Sequence, residues 1–145
     1  MQDIQNKLRN ISKNITVLYV EDDENTRRQY LQIFKLLFKD VQEAENGKVA
    51  LEVYKEQKYD LIITDLTMPQ MGGVALINEV LKITPSQHAI VITAHNTSEN
   101  LKDTIEQQID GILIKPISME KLFRLLHKVC YAVSLEKKEL ENNWM

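Results

Sequence analysis

The stretch Asp60-Leu-Ile-Ile-Thr-Asp65-Leu-Thr-Met-Pro69-Gln-Met-Gly-Gly73 leaves the chain few folds to choose from. A short, Ile-rich apolar run suits a strand buried on both faces of a parallel sheet. The run delivers one carboxylate, Asp65, to its end, and a proline and paired glycines then turn the chain into a helical pattern. In open α/β sheets, chemistry gathers just beyond the carboxyl ends of such strands. Asp65 therefore stands either as a reactive group or as an ordinary turn residue bonded within its own loop.

The rest of the chain repeats this alternation. Ile15-Thr-Val-Leu-Tyr-Val20 predicts a first strand that runs into Glu21, Asp22 and Asp23. Helical spacing follows from about Asn25 to Phe38, then a short second strand, Val41-Gln-Glu-Ala-Glu45, and a turn at Asn46-Gly47. Ala50, Val53 and Tyr54 mark the next helix; Leu76, Ile77, Val80 and Leu81 mark the one after, stopped near Thr84-Pro85. Ala89-Ile-Val-Ile-Thr93 is a fourth strand, and Asn96 with Glu99 has capping-box spacing for a helix carrying Leu101, Ile105 and Ile109. Gly111-Ile-Leu-Ile114 is a fifth strand, entering Lys115-Pro116, and Ser118 can cap a last helix. Strands alternating with helices predict an α/β domain: a three-layer α/β/α sandwich on a doubly wound, five-stranded parallel sheet.

At 145 residues, 43% hydrophobic and 27% charged, the chain fits one globular domain. Residues 15–130 make up that domain. Residues 1–14 form an N-terminal extension with Ile4, Leu8 and Ile11 on one helical face, either resting on the domain or frayed. Residues 131–145 extend the last helix, whose pattern has no Gly or Pro stop and whose segment 136–141 is charged and expected to be solvated. That extension reads as a dimerising coiled coil, as a linker to an output domain absent from this chain, or as a polar tail. The net charge of -3 argues against the chain gripping nucleic acid or an anionic membrane by itself. A single cysteine, Cys130, permits no intrachain disulfide, and neither a bilayer-length apolar run nor a signal-peptide core is visible. These features point to the cytoplasm. His88, His95 and His127 lack metal-ligand spacing.

With all strands parallel, Glu21 and Asp22, Asp65, Thr93 and Lys115 converge on one edge of the sheet, where the second strand offers nothing comparable. Clustered carboxylates repel one another unless a cation neutralises them or a proton is retained. Hard oxygen ligands with room for water suit Mg2+. A carboxylate held between a divalent cation and a lysine can attack phosphorus and form an aspartyl phosphate.

Four segments together resemble the receiver domains of two-component response regulators, over roughly residues 15–130: Val17-Leu-Tyr-Val-Glu-Asp-Asp23, Asp60 through Pro69 with Gly73, Val91-Ile-Thr-Ala94 and Leu113-Ile-Lys-Pro116. The resemblance implies a flavodoxin-like strand order 2-1-3-4-5. It implies that Asp65 accepts a phosphoryl group from a sensor histidine kinase or a histidine phosphotransfer protein. Mg2+ would be held by Asp22 directly, by Glu21 through water, by Asp65 and by the backbone carbonyl of Thr67. Thr93 and Lys115 match the switch hydroxyl and the phosphate-binding lysine, Asp23 is a bystander at the helix start, and Lys115-Pro116 is expected to be cis. Phosphorylation would change binding of an output domain or downstream protein on the face made by the helix after strand four, strand five and the last helix; a homodimer is a further option. Ile112 replaces the aromatic residue the family often carries three positions before the lysine, Gly72 replaces a frequent aspartate, and Gln108-Ile109 replaces a common Gly-Ala. Thr67 and His95 occupy positions that tune phosphate hydrolysis in the family. The role expected is that of a phosphoacceptor switch rather than an enzyme. Two other classes remain: an aspartyl-phosphate hydrolase, which would want an acid where Thr67 stands, and an interaction module of the same fold that is never phosphorylated.

Overall fold

Side chains alternate across the central strands because successive residues of a strand face opposite sides. In the computed structural model, which describes residues 2–94 and 109–143, that alternation builds two cores on one sheet. The strands are β1 (Thr16–Val20), β2 (Asp40–Ala44), β3 (Leu61–Asp65), β4 (His88–Thr93) and β5 (Gly111–Ile114). All neighbours are parallel, in the expected order β2-β1-β3-β4-β5. The described helices are α1 (Gln2–Ser12), α2 (Glu24–Leu37), α3 (Gly47–Glu56), α4 (Gly73–Ile83) and α5 (Met119–Asn143). The helix expected around Leu101 and Ile105, with its cap at Asn96 and Glu99, lies outside the described residues, as do His95 and Gln108.

Val17, Tyr19, Ile63 and Ile92 enter the core shared with α1, α2 and α5. Leu18, Val20, Ile62 and Val91 enter the one shared with α3 and α4. Each such fully buried aliphatic side chain contributes about 1.5–3 kcal/mol of transfer free energy. β3 is buried along its whole length, as its uninterrupted apolar run requires. The ring of Phe34 meets Tyr19 edge-on, with centroids 5.0 Å apart.

The N-terminal segment is helical and docked. Leu8 is fully buried beside Val129 and Val133 of α5 in the first core, and Ser12 Oγ donates to the Leu37 carbonyl, one of the acceptors left over at the end of α2. Residues 138–141 at the end of α5 are exposed, as expected for a solvated segment, but Glu136 and Lys137 before them also make contacts with the domain. Lys137 Nζ lies 2.8 Å from Asp60 and donates to the Asn14 carbonyl, while Glu136 bonds His88 at 2.9 Å. These contacts close the N-terminal edge of the sheet. There Asp60 also accepts from the Thr16 backbone and hydroxyl, and Asp110 accepts from the Ala89 N–H and pairs with His88. The opposite edge carries the acids.

Candidate functional site

Each expected site residue sits at, or just past, the C-terminal end of a strand. Glu21 follows β1 and continues its ladder, its N–H donating to the Ala44 carbonyl of β2. Its carboxylate is buried and shared: Oε2 accepts from the Asp23 N–H at 3.1 Å and Oε1 from Lys115 Nζ at 3.1 Å. Asp22 stands exposed beside it. Asp23, expected as a bystander, is the N-cap of α2. It accepts from both the N–H and the hydroxyl of Thr26, and those bonds hold its carboxyl below the usual aspartate range. The Asp23-x-x-Thr26 spacing was the sequence signal for that role.

Asp65 ends β3, buried to 8% exposure. The Leu66 N–H donates to its Oδ1 at 2.8 Å, which fixes the carboxylate, and its Oδ2 lies 3.7 Å from Lys115 Nζ. Carboxylate oxygens of Glu21, Asp22 and Asp65 all lie within 4.8 Å of one another. Three acids thus surround one ammonium. Burial pushes the Glu21 carboxyl up to about 7, with the Asp65 charge adding to it and the Asp23 N–H and Lys115 opposing. For Lys115, burial works against the charged form, but the Glu21 hydrogen bond and the acids around it prevail and hold its pKa above the usual lysine value.

Lys115 follows β5 and enters the expected cis peptide bond to Pro116. Its N–H donates to the carbonyl of Thr93, the buried last residue of β4, so Thr93 and the lysine are tied through the backbone. Thr93 comes one residue past Ile92, the register partner of Asp65. Thr67 lies exposed in the loop of residues 66–72 between β3 and α4. All six residues singled out from the sequence therefore border one end of the sheet.

Sequence reasoning passed over Gly47. Its N–H donates to the Met71 carbonyl in that same loop, and the only signal was an Asn46-Gly47 turn. The donor set suits a hard, oxygen-seeking cation: three carboxylates in one cluster, one of them exposed and open to water.

Comparison with known proteins finds that a family model described as the response regulator receiver domain matches residues 17–127. The chemotaxis protein CheY of Thermotoga maritima is 33% identical over 114 residues, covering 78% of this chain and 95% of that protein. A cyclic di-GMP phosphodiesterase of the same organism is 36% identical over 108 residues, and the match spans 74% of this chain but only 29% of that protein's length. Among solved structures, a chain of the CheX-CheY-BeF3-Mg+2 complex from Borrelia burgdorferi superposes with a TM-score of 0.72 at 26% identity, covering 79% of this chain and 88% of that one.

Proposed function

The chain belongs to the response regulator receiver domains, and from that premise we propose that Asp65 is its phosphoacceptor, in a site completed by Mg2+. The observation that carries the reading is the buried Asp65 carboxylate, oriented by the Leu66 N–H, with Lys115 at 3.7 Å and the Glu21 and Asp22 oxygens within 4.8 Å. Asp22 would hold the ion directly, Glu21 through water, with Asp65 and the Thr67 carbonyl completing the protein's share. When bound, the ion neutralises charge on the carboxylates and on the transferring oxygens.

The remaining steps belong to the chain. The Asp65 oxygen attacks the phosphorus of a phosphohistidine; the P–O bond forms as the P–N bond breaks. Lys115 rests nearer Glu21 than Asp65, so the new charge on Asp65 draws its ammonium toward the phosphoryl oxygens. Thr93 offers a hydroxyl that can read the same oxygens. The phosphoryl donor is a sensor histidine kinase or a histidine phosphotransfer protein in the cytoplasm. No described helix is long and apolar enough to cross a membrane, which is compatible with that location. The output is altered partner binding on the face to which β5 and α5 contribute. Chemistry is confined to self-catalysed phosphotransfer and dephosphorylation; the phosphodiesterase activity in the name of one relative is not carried over.

Incubation with acetyl phosphate and Mg2+ should add one phosphoryl group, detected by intact mass and removed by hydroxylamine. Asp65→Asn should abolish it. A phosphoryl group that persists on the variant at a neighbouring residue overturns the assignment, and a wild-type chain that neither binds Mg2+ nor gains mass identifies an interaction module instead.

A further inference from the structure

The loop of residues 66–72 is strained and tightly tethered. Gln70 and Met71 are the two non-glycine residues with positive φ among the described residues, at 61° and 136°, and Met71 lies where glycine is the favoured residue. At its C-terminal end the Gly73 N–H donates to the Leu66 carbonyl at 2.8 Å, and a Cβ on Gly73 would come within 2.5 Å of the Asp65 carbonyl oxygen. The loop therefore folds back against the backbone of the phosphoacceptor itself.

The second tether comes from α3. Asn46 caps that helix with its side chain on the Val49 N–H, leaving Gly47, the first helical residue, with an amide that has no partner inside the helix. That amide donates to the Met71 carbonyl at 3.2 Å. The positive end of the helix favours such a carbonyl. The approach is close: a Cβ at Gly47 would overlap the Met71 carbonyl oxygen and sit 3.0 Å from Met71 Cβ and Cγ. The oxygen is backbone and cannot swing aside as a flexible side chain would. Displacing it means moving a loop segment already held at positive φ, four residues beyond Thr67.

We propose that Gly47 is a positioning residue for the Asp65 site: its missing side chain lets α3 hold the Met71 carbonyl, and with it the loop that presents the Thr67 carbonyl. The metal half of this inference rests on the function proposed above. The tether itself does not. Gly47 touches neither the acids nor the phosphoryl group; it acts through residues 66–72.

The test pairs Gly47→Ala with Asn46→Ala, which removes the side-chain cap of the same helix and leaves Met71 untouched. Two readouts are taken on the full chain without phosphodonor: Mg2+ affinity by calorimetry, and amide hydrogen exchange of residues 66–73 in metal-free buffer. Gly47→Ala should weaken Mg2+ about tenfold, in the range typical of groups that orient metal ligands, and should speed exchange at Leu66 and Gly73. Asn46→Ala should lower the thermal midpoint yet move neither readout. Unchanged affinity and exchange in Gly47→Ala, or equal changes in both variants, overturns the proposal. Should Gly47→Ala not fold, the wild-type chain decides: by linkage, Mg2+ should slow exchange of the Gly47 amide, and exchange indifferent to saturating Mg2+ overturns it. A wild-type chain that binds no Mg2+ sinks the functional reading instead, and the metal-free exchange data then judge the tether alone.

Discussion

The two ends of the sheet are both crowded with charge, but they are built on opposite plans. At the N-terminal edge Asp60, Asp110 and Glu136 are each matched. Asp60 meets Lys137 and two donors of Thr16, Asp110 meets His88 and the Ala89 N–H, and Glu136 meets the other nitrogen of His88. Gln87 and Tyr54 extend the network with a further hydrogen bond at 2.6 Å. At the C-terminal edge, Glu21 and Asp65 share the ammonium of Lys115, and Asp22 stands exposed with its carboxylate within 4.8 Å of both acids. A satisfied polar cluster rigidifies a fold, whereas an excess of like charge destabilises it until something binds. The comparison separates acids that are each matched by a donor from acids that are crowded on one another.

The largest effect expected from the closed edge is its response to pH. Hydrogen bonding to Asp110, against the cost of burial and with Glu136 adding, raises the pKa of His88 to about 9. A histidine raised in the folded state contributes stability that is fully present below its unfolded value of about 6.5 and is lost as pH rises through about 9. The loss should be on the order of 2 kcal/mol, less than the full shift implies because Glu136 is half-exposed and screened. Urea denaturation across that window checks it, and His88→Asn should remove this step. A profile with the same step in the variant would break the comparison, because the N-terminal edge would then not be the source.

A smaller effect tests the ground beneath the open edge. The Tyr19 hydroxyl is buried with no hydrogen-bond partner among the described residues, and burial, with the charge of Glu21 next, pushes its pKa far up. An unpartnered buried hydroxyl costs about 1–3 kcal/mol, so Tyr19→Phe should leave stability unchanged or raise it by up to about 1 kcal/mol. A loss of more than about 1 kcal/mol on denaturation would reveal a bonded hydroxyl.

The open edge was the legible one. Glu21, Asp22, Asp65, Thr93 and Lys115 each follow from a local rule, a polar residue ending an apolar run, and parallel strands bring such ends together. Strands β1, β3, β4 and β5 were readable for the same reason, with β5 expected and found at Gly111–Ile114. The closed edge had no such signature. Thr16, Asp60 and Lys137 are joined across 121 positions, and His88, Asp110 and Glu136 across 48, by packing that no spacing announces. Helical spacing of Ile4, Leu8 and Ile11 suggested α1, but its seat against α5 depends on tertiary fit. The Gly47–Met71 contact joins the first residue of α3 to a loop and was equally silent in sequence.

Neutralising one acid at each end tests the contrast most directly. Asp65→Asn and Asp60→Asn make the same chemical change, and their stabilities can be compared by urea denaturation in metal-free buffer. Asp65→Asn should gain about 1 kcal/mol by relieving repulsion from Glu21 and Asp22, while Asp60→Asn should lose about 1–2 kcal/mol of charge-assisted bonding to Thr16 and Lys137. Opposite signs are the prediction; losses of similar size at both ends would contradict it.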